Sequence, residues 1–350
     1  MPADPSAVDR LRGAVARGLG RLPSGLQARL ARPPDVDGEA LDPATALLLA
    51  LNPPRGRTPL TDGTPDEARA RFRREVLAVA GRPTPVGAVR DVEVDGAAGP
   101  LPARRYTPPD AEPGLPLLVY LHGGGFVLGD LDTADEPCRL LCRHGHVHVL
   151  SVAYRLAPEH PAPAAVDDAR AALRWAQAEA GRFGTDAARV TVGGDSAGAN
   201  LAAVVSQQTA ADHPPAAQLL IYPPTDRTRP YASGDLFDGY LHTAADRDAF
   251  HRIYTAGSGV GPDDPRISPL LGRLDGLPPA LVAVAGFDVL RDEAEAYAEA
   301  VAAAGGRAEV QREPGLPHGF VHLTSAVPAA RHAVVALARR WRLFLQSVLP

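Results

Sequence analysis

From residue 88 onward, short apolar runs alternate with longer stretches whose apolar residues recur at helical spacing. Strand character falls at about 88–95, 101–107, 115–122, 147–154, 190–195, 216–222, 280–287 and 307–312. Helical character falls near 163–181, 197–210, 291–304 and 327–347. Leu115 to Leu121 (LPLLVYL) and Pro279 to Phe287 (PALVAVAGF) are apolar almost throughout, as strands buried on both faces are. The first strands follow one another without helices, which predicts an antiparallel start to the sheet. The later ones are separated by helices, which predicts parallel pairing. The expected class is α/β, a mostly parallel central sheet flanked by helices.

Two regions do not fit the sheet. Residues 1–85 read as short helices broken by prolines at Asp42-Pro43, Asn52-Pro53-Pro54 and Thr64-Pro65. Residues 225–262 form a polar, strand-poor insertion that carries Tyr231, Phe237, Tyr240, Phe250 and Tyr254. The expected organisation is a helical N-terminal extension (1–38), a small helical cap from 39–85 and 225–262, and a main domain from 86–224 and 263–350. Within the extension, Val8, Leu11, Val15, Leu19 and Leu22 share one helix face. That face is expected to pack on the cap, in preference to serving as an oligomer contact. Pro108 to Gly114 reads as a surface loop, and no internal repeat is visible.

The chemistry is concentrated in four places. Gly194-Asp195-Ser196-Ala197-Gly198 follows an apolar strand run and opens an Ala-rich helical stretch, the context a nucleophile elbow needs. The two glycines give room for the sharp turn, and the helix N-terminus favours negative charge developing beside the serine. His122-Gly123-Gly124-Gly125-Phe126 follows the strand at 115–122, so its backbone N–H groups can approach a ligand without side chains in the way. A plain glycine turn or a phosphate loop would look similar. The phosphate reading lacks the G-x-x-x-x-G-K-[ST] pattern, and the chain has no lysine, which also removes Schiff-base and Ser-Lys mechanisms. Asp288 stands just past the strand at 280–287, where open α/β sheets place their sites. Its rival Asp292 lies in the first turn of the next helix, where an acid suits the dipole without any catalysis. His318 sits on a loop after the last strand, in the chain order serine, acid, histidine.

Other histidines compete for the role of base. His122 is better placed to fix the glycine loop by hydrogen bonding, and His160, between Pro158 and Pro161, reads as structural. His144, His146 and His148 alternate and would share a face on a strand, as metal ligands do. No acid or cysteine stands at matching spacing, and a helix-to-strand turn explains Gly145, so no metal is expected.

With these motifs in place, the chain resembles the hormone-sensitive-lipase-like esterases, a bacterial family marked by an HGGG loop and a GDSAG elbow. Tyr154 to Pro161 (YRLAPEHP), Asp238-Gly239-Tyr240-Leu241, Ser268-Pro269-Leu270, Gly286 to Glu293 and His318-Gly319-Phe320 match further landmarks, over about residues 40 to 350. Ala199 and Val289 depart from it in minor ways, where glycine and proline are frequent. The resemblance implies the α/β-hydrolase fold and a serine carboxylesterase with Ser196, Asp288 and His318 as triad. It implies Gly123, Gly124 and Ala197 as oxyanion-hole donors, and no cofactor. The implied substrates are small-molecule esters of short to medium acyl chain. An amidase, lactonase or deacetylase would use the same triad. A non-catalytic binding protein of this fold would usually have lost a triad residue.

Composition narrows the partners. A net charge of −5 makes no electrostatic case for nucleic acid or an anionic membrane. Cys138 and Cys142, four residues apart in a helical stretch, read as reduced apolar residues of one helix face. The start MPADPSAVDR has no apolar signal region, and no apolar run approaches the ~18 residues of a span, so a cytoplasmic location is expected. A homodimer stays open.

Overall fold

The computed structural model describes residues 4–51 and 58–349. The proline break at Asn52-Pro53-Pro54 lies outside the described residues. The chain opens with α1 (Ala7–Gly20), α2 (Ser24–Ala31), a two-stranded ribbon of β1 (Asp35–Val36) and β2 (Glu39–Ala40), α3 (Pro43–Leu51) and α4 (Pro65–Val79). Pro43 and Pro65 stand at helix starts, where a missing N–H is harmless. Thr64 and Glu67 close a capping box around the first turn of α4.

The main domain follows: β3 (Ala88–Gly96), β4 (Gly99–Thr107), β5 (Leu117–Leu121), α5 (Asp135–Gly145), β6 (His148–Val152), α6 (Ala164–Ala178), β7 (Val190–Asp195), α7 (Ala197–Thr209) and β8 (Gln218–Ile221). After β8 come α8 (Ala232–Leu236) and α9 (Ala244–Thr255), then β9 (Ala280–Phe287), α10 (Arg291–Ala303), β10 (Ala308–Pro317) and α11 (Pro328–Val348). Each expected strand is present in the sheet, whose order is β10-β9-β8-β7-β5-β6-β4-β3. β3–β4 and β4–β6 are antiparallel and the remaining pairs parallel, as the spacing of helices predicted. Helix α5, between β5 and β6, extends beyond the helical stretch read at Cys138–Cys142.

Strand parity builds the two cores. Leu117, Val119 and Leu121 of β5, with Val282 and Val284 of β9, join the core beneath α6, α7 and α10. Leu118 and Tyr120, with Leu281, Ala283 and Ala285, join the core beneath α5 and α11. Alternate side chains point to opposite faces, and both faces are covered, so the runs carry no polar alternation. Cys138 and Cys142 are free thiols inside the second core.

Helix α1 corrects one expectation. Its packing face is the small-residue seam Gly13, Ala16 and Gly20, while Val8, Leu11 and Val15 are exposed. A Cβ on Gly13 would run into the Ala78 carbonyl, and one on Gly20 into that of Ala326. Backbone therefore approaches backbone along this seam, which the larger apolar side chains would prevent. Arg17 ties the helix down by donating to the carbonyls of Ala78 (2.8 Å) and Ala80 (3.0 Å).

Strand order places the site. From β5 the chain goes to β6 on one side and later to β7 on the other, so β5 and β7 flank a reversal of direction. A crevice opens at the carboxyl ends of strands at such a point. The loops after β5, β7, β9 and β10 carry the glycine loop, Ser196, Asp288 and His318, respectively.

Candidate active site

Ser196 sits between the last residue of β7 and the first of α7, with φ 52° and ψ −119°. A non-glycine residue held there stores about 1–3 kcal/mol of strain, which the surrounding packing must impose. The packing is visible: a Cβ on either Gly194 or Gly198 would run into the Leu121 carbonyl oxygen at the end of β5. Both glycines are thus required by the close approach of the elbow to its neighbouring strand.

His318 lies between the serine and the acid. Its Nε2 is 2.9 Å from Ser196 Oγ, and its Nδ1 is 2.6 Å from Asp288 Oδ2. Asp288 is fully buried, and its other oxygen accepts the Leu290 N–H at 2.9 Å, which fixes the carboxylate plane. Asp292 is engaged elsewhere. It accepts the Ser233 N–H at 2.9 Å and the Arg291 Nε–H at 2.8 Å, tying α8 to the start of α10. The imidazole of His318 is flanked by Tyr222 and by His242, each with its ring centroid 4.5 Å away.

The glycine loop departs from expectation at one residue. The Gly123 N–H donates to Asp195 Oδ1 at 2.9 Å, so it is committed to a carboxylate and does not face the serine. Gly124 and Gly125 do line the cavity beside Ser196 and Ala197. Their positive φ values, 123° and 61°, suit glycine and turn the loop over the elbow. Among the described residues, none accepts a hydrogen bond from the N–H of Gly124, Gly125 or Ala197. His122 fixes the loop as anticipated. It is buried, its Nδ1 is 2.9 Å from the Gly123 carbonyl, and it stacks on Tyr154, whose hydroxyl donates to the His122 carbonyl at 2.7 Å. Burial holds the His122 imidazole below its ordinary pKa, so it stays neutral.

Asp195 is the residue whose importance the sequence reading missed. Besides Gly123 it accepts the Tyr120 hydroxyl at 2.7 Å and the Tyr222 hydroxyl at 3.4 Å, and it pairs with His322 Nε2 at 3.4 Å. Burial opposes its ionisation, yet His322, Tyr120 and the Gly123 N–H together hold its carboxyl below the usual range. One anion thereby joins the elbow, the glycine loop and the segment after His318. A charge closing an otherwise apolar strand, with Tyr120 in the neighbouring apolar run, was the available signal. His160 is exposed, and of His144, His146 and His148 only the last lies in a strand.

Above the serine is a cavity of about 440 Å³. Its walls are mainly apolar and come from α4 (Phe72, Val76), α9 (Phe250, Tyr254), the glycine loop and α7, with Gly13 and Ala16 of α1 also lining it. Phe126 stacks on Tyr254 with centroids 3.9 Å apart, joining the glycine loop to α9.

Comparison with known proteins agrees with this geometry. Residues 118–322 match the family described as having the alpha/beta hydrolase fold. The chain belongs to this family. Within it, the chain stands among carboxylic ester hydrolases. It is 48% identical over 298 residues to carboxylic ester hydrolase LipN of Mycobacterium tuberculosis, covering 82% of this chain and 79% of that protein. It is 38% identical over 280 residues to an ethyl acetate hydrolase of Pseudomonas putida, covering 77% of this chain and 87% of the relative. Among solved structures, the ester-hydrolase EH1AB1 from the metagenome of Lake Arreo superposes with a TM-score of 0.81 at 39% identity, covering 85% of this chain and 96% of that one. That structure holds a bipyridine phosphonate derivative. Among the described residues of the hydrolase, no helix is long and apolar enough to cross a membrane.

Proposed function

We propose that this carboxylic ester hydrolase cleaves short- to medium-chain acyl esters through an acyl-enzyme on Ser196. The observation that carries this is the continuous line of hydrogen bonds from Ser196 through His318 to buried Asp288, 2.9 and 2.6 Å long, beneath an apolar cavity. Ser196 Oγ attacks the ester carbonyl as His318 Nε2 takes its proton. Asp288 holds the proton of His318 on Nδ1, which leaves Nε2 as the acceptor, and it stabilises the imidazolium that forms. The N–H groups of Gly124, Gly125 and Ala197 would then meet the oxyanion, each worth about 10²–10³ in rate. His318 next protonates the leaving alcohol, and a water activated by the same imidazole releases the acid.

The helices α3, α4, α8 and α9 act as the cap in this reading, with α1 and α2 as an extension packed against it and residues 86–224 and 263–350 as the catalytic domain. They keep water from the acyl-enzyme and set the length of the acyl pocket. Each methylene that finds apolar wall gains about 0.8 kcal/mol, roughly fourfold in the specificity constant, until the chain meets packed cap side chains. A modest cleft of this size suits acyl chains of about two to eight carbons, with an optimum near four to six. The test is kcat/KM across p-nitrophenyl esters of increasing length, with Ser196→Ala as control. The expected profile rises and then falls, and the variant is inactive but folded. An optimum at about twelve carbons or more, activation by an oil–water interface, or near-normal turnover by Ser196→Ala would overturn the proposal.

A further inference from the structure

His242 is the group the proposed mechanism leaves unused. It lies in the insertion between β8 and β9, just before α9, and it enters the cavity from the cap. Its ring stands 4.5 Å from that of His318, tilted by 34°. One donor atom each from His242, His318 and Asp288 lies within 4.8 Å of the others, and among the described residues these three make the group able to hold a metal ion. Two imidazoles and a carboxylate are the donor set that suits zinc and its neighbours, with water as a fourth ligand.

We propose that His242, His318 and Asp288 bind a divalent transition-metal ion, zinc by preference, and that this ion switches the esterase off. Zinc holds nitrogen and oxygen at about 2.0–2.2 Å, so tetrahedral ligand atoms stand about 3.3 Å from one another. The donors lie within 4.8 Å of one another, and movement of the chain must supply the rest. His318 is followed by Gly319 at φ 76°, and His242 follows Leu241 at φ 72°, in an irregular stretch between two short helices. Asp288 keeps one oxygen on the Leu290 N–H, and the other, now on His318 Nδ1, meets the metal when the proton between them is displaced. The metal takes His318 Nδ1, the nitrogen that faces Asp288, and displaces the proton shared between them. The ring then carries its proton on Nε2, which faces Ser196 Oγ, and can no longer accept the serine proton. A hard ion such as magnesium, which demands oxygen ligands, should not compete.

The loss of activity rests on the triad reading, whereas the binding does not, and the experiment keeps them apart. Full-length protein is stripped with chelator, desalted and titrated with zinc chloride or magnesium chloride while p-nitrophenyl butyrate hydrolysis is followed. In parallel, zinc affinity is measured by competition with a zinc-binding fluorophore for the wild type, Ser196→Ala and His242→Phe. Phenylalanine keeps a ring beside His318 and removes the donor. Zinc at micromolar concentration should suppress the wild-type rate, with full recovery on adding chelator, while magnesium has no effect. Ser196→Ala should bind zinc as tightly as the wild type. In His242→Phe both the affinity and the inhibition, each relative to its own zinc-free rate, should weaken by at least about tenfold, since even partners beyond the ligands themselves are worth 10–100-fold. Equal zinc sensitivity in His242→Phe, or no zinc binding by the wild type, would overturn the proposal. Zinc binding that depends on His242 in a protein without esterase activity would instead refute the triad reading and leave the site standing.

Discussion

Replacing Asp288 by asparagine tests the acid at its most sensitive point. The side chain keeps its size, and its carbonyl oxygen can still accept the Leu290 N–H, now made at 2.9 Å. The amide nitrogen then faces His318 Nδ1 across the present 2.6 Å contact. An N–H against an N–H is repulsive, so the imidazole must present a lone pair at Nδ1 and carry its proton on Nε2. That proton points at Ser196 Oγ, 2.9 Å away, and the ring can no longer accept from it. Turning the amide over sets its NH₂ against the Leu290 N–H, so the fold opposes escape from the wrong tautomer. The expected loss in kcat is about 10⁴, or about 5 kcal/mol of transition-state stabilisation. KM should change little, because the substrate does not touch this residue. The matched control is Asp292→Asn, which weakens the contacts to Ser233 and Arg291. Charge-assisted hydrogen bonds of that kind contribute about 1.5–3 kcal/mol each, so its effect should appear mainly in the melting temperature, with kcat within about tenfold of wild type. Both variants are to be assayed on p-nitrophenyl butyrate beside thermal melts. If Asp292→Asn proves the more damaging to kcat, or Asp288→Asn keeps more than a tenth of the activity, the assignment of the acid is wrong.

Two further outcomes follow from the packing. Gly123→Ala would drive a Cβ into the Asp195 carboxylate and push the loop off the elbow, whereas Gly18→Ala and Gly25→Ala meet open space. Gly123→Ala should lose about 10²–10³ in kcat with the fold retained, the scale of one misplaced oxyanion donor. The two controls should be silent in both rate and melt, and silence in all three would deny the loop its role. Deleting residues 1–36 removes Asp9, Arg12, Gly13 and Ala16 from the cavity lining and the Arg17 clamp on α4. A melt lowered by several degrees and an ester profile shifted toward longer chains are expected. An unchanged melt with an unchanged profile would show that α1 neither braces nor shapes the pocket.

What was legible in the chain divides by the range of the constraint. The elbow could be read because its demands are local: a strand, a tight turn and two glycines within five residues, with Gly194 and Gly198 both facing Leu121. The sheet could be read because helices between strands enforce parallel pairing whatever the side chains are. Gly123 was misread for the opposite reason. A run of three glycines announces a loop open to a ligand, but which N–H stays open depends on Asp195, 72 residues further along the chain. The face of α1 failed similarly. Its apolar stripe at Val8, Leu11 and Val15 has the right period, yet contact runs through Gly13, Ala16 and Gly20, where the absence of side chains lets two backbones touch. Periodicity weighs what a residue can bury and gives no weight to what it leaves room for. His242 lay beyond reach altogether, since nothing in Tyr240-Leu241-His242 hints that the insertion folds back over His318. The candidate reacting groups of this esterase are therefore written in short motifs, while the groups that hold the loop, line the cavity from α1 and stand beside His318 are set by contacts made across the fold. Variation among relatives in acyl range or metal sensitivity should accordingly be sought at positions such as 9, 12 and 242 and not within the motifs.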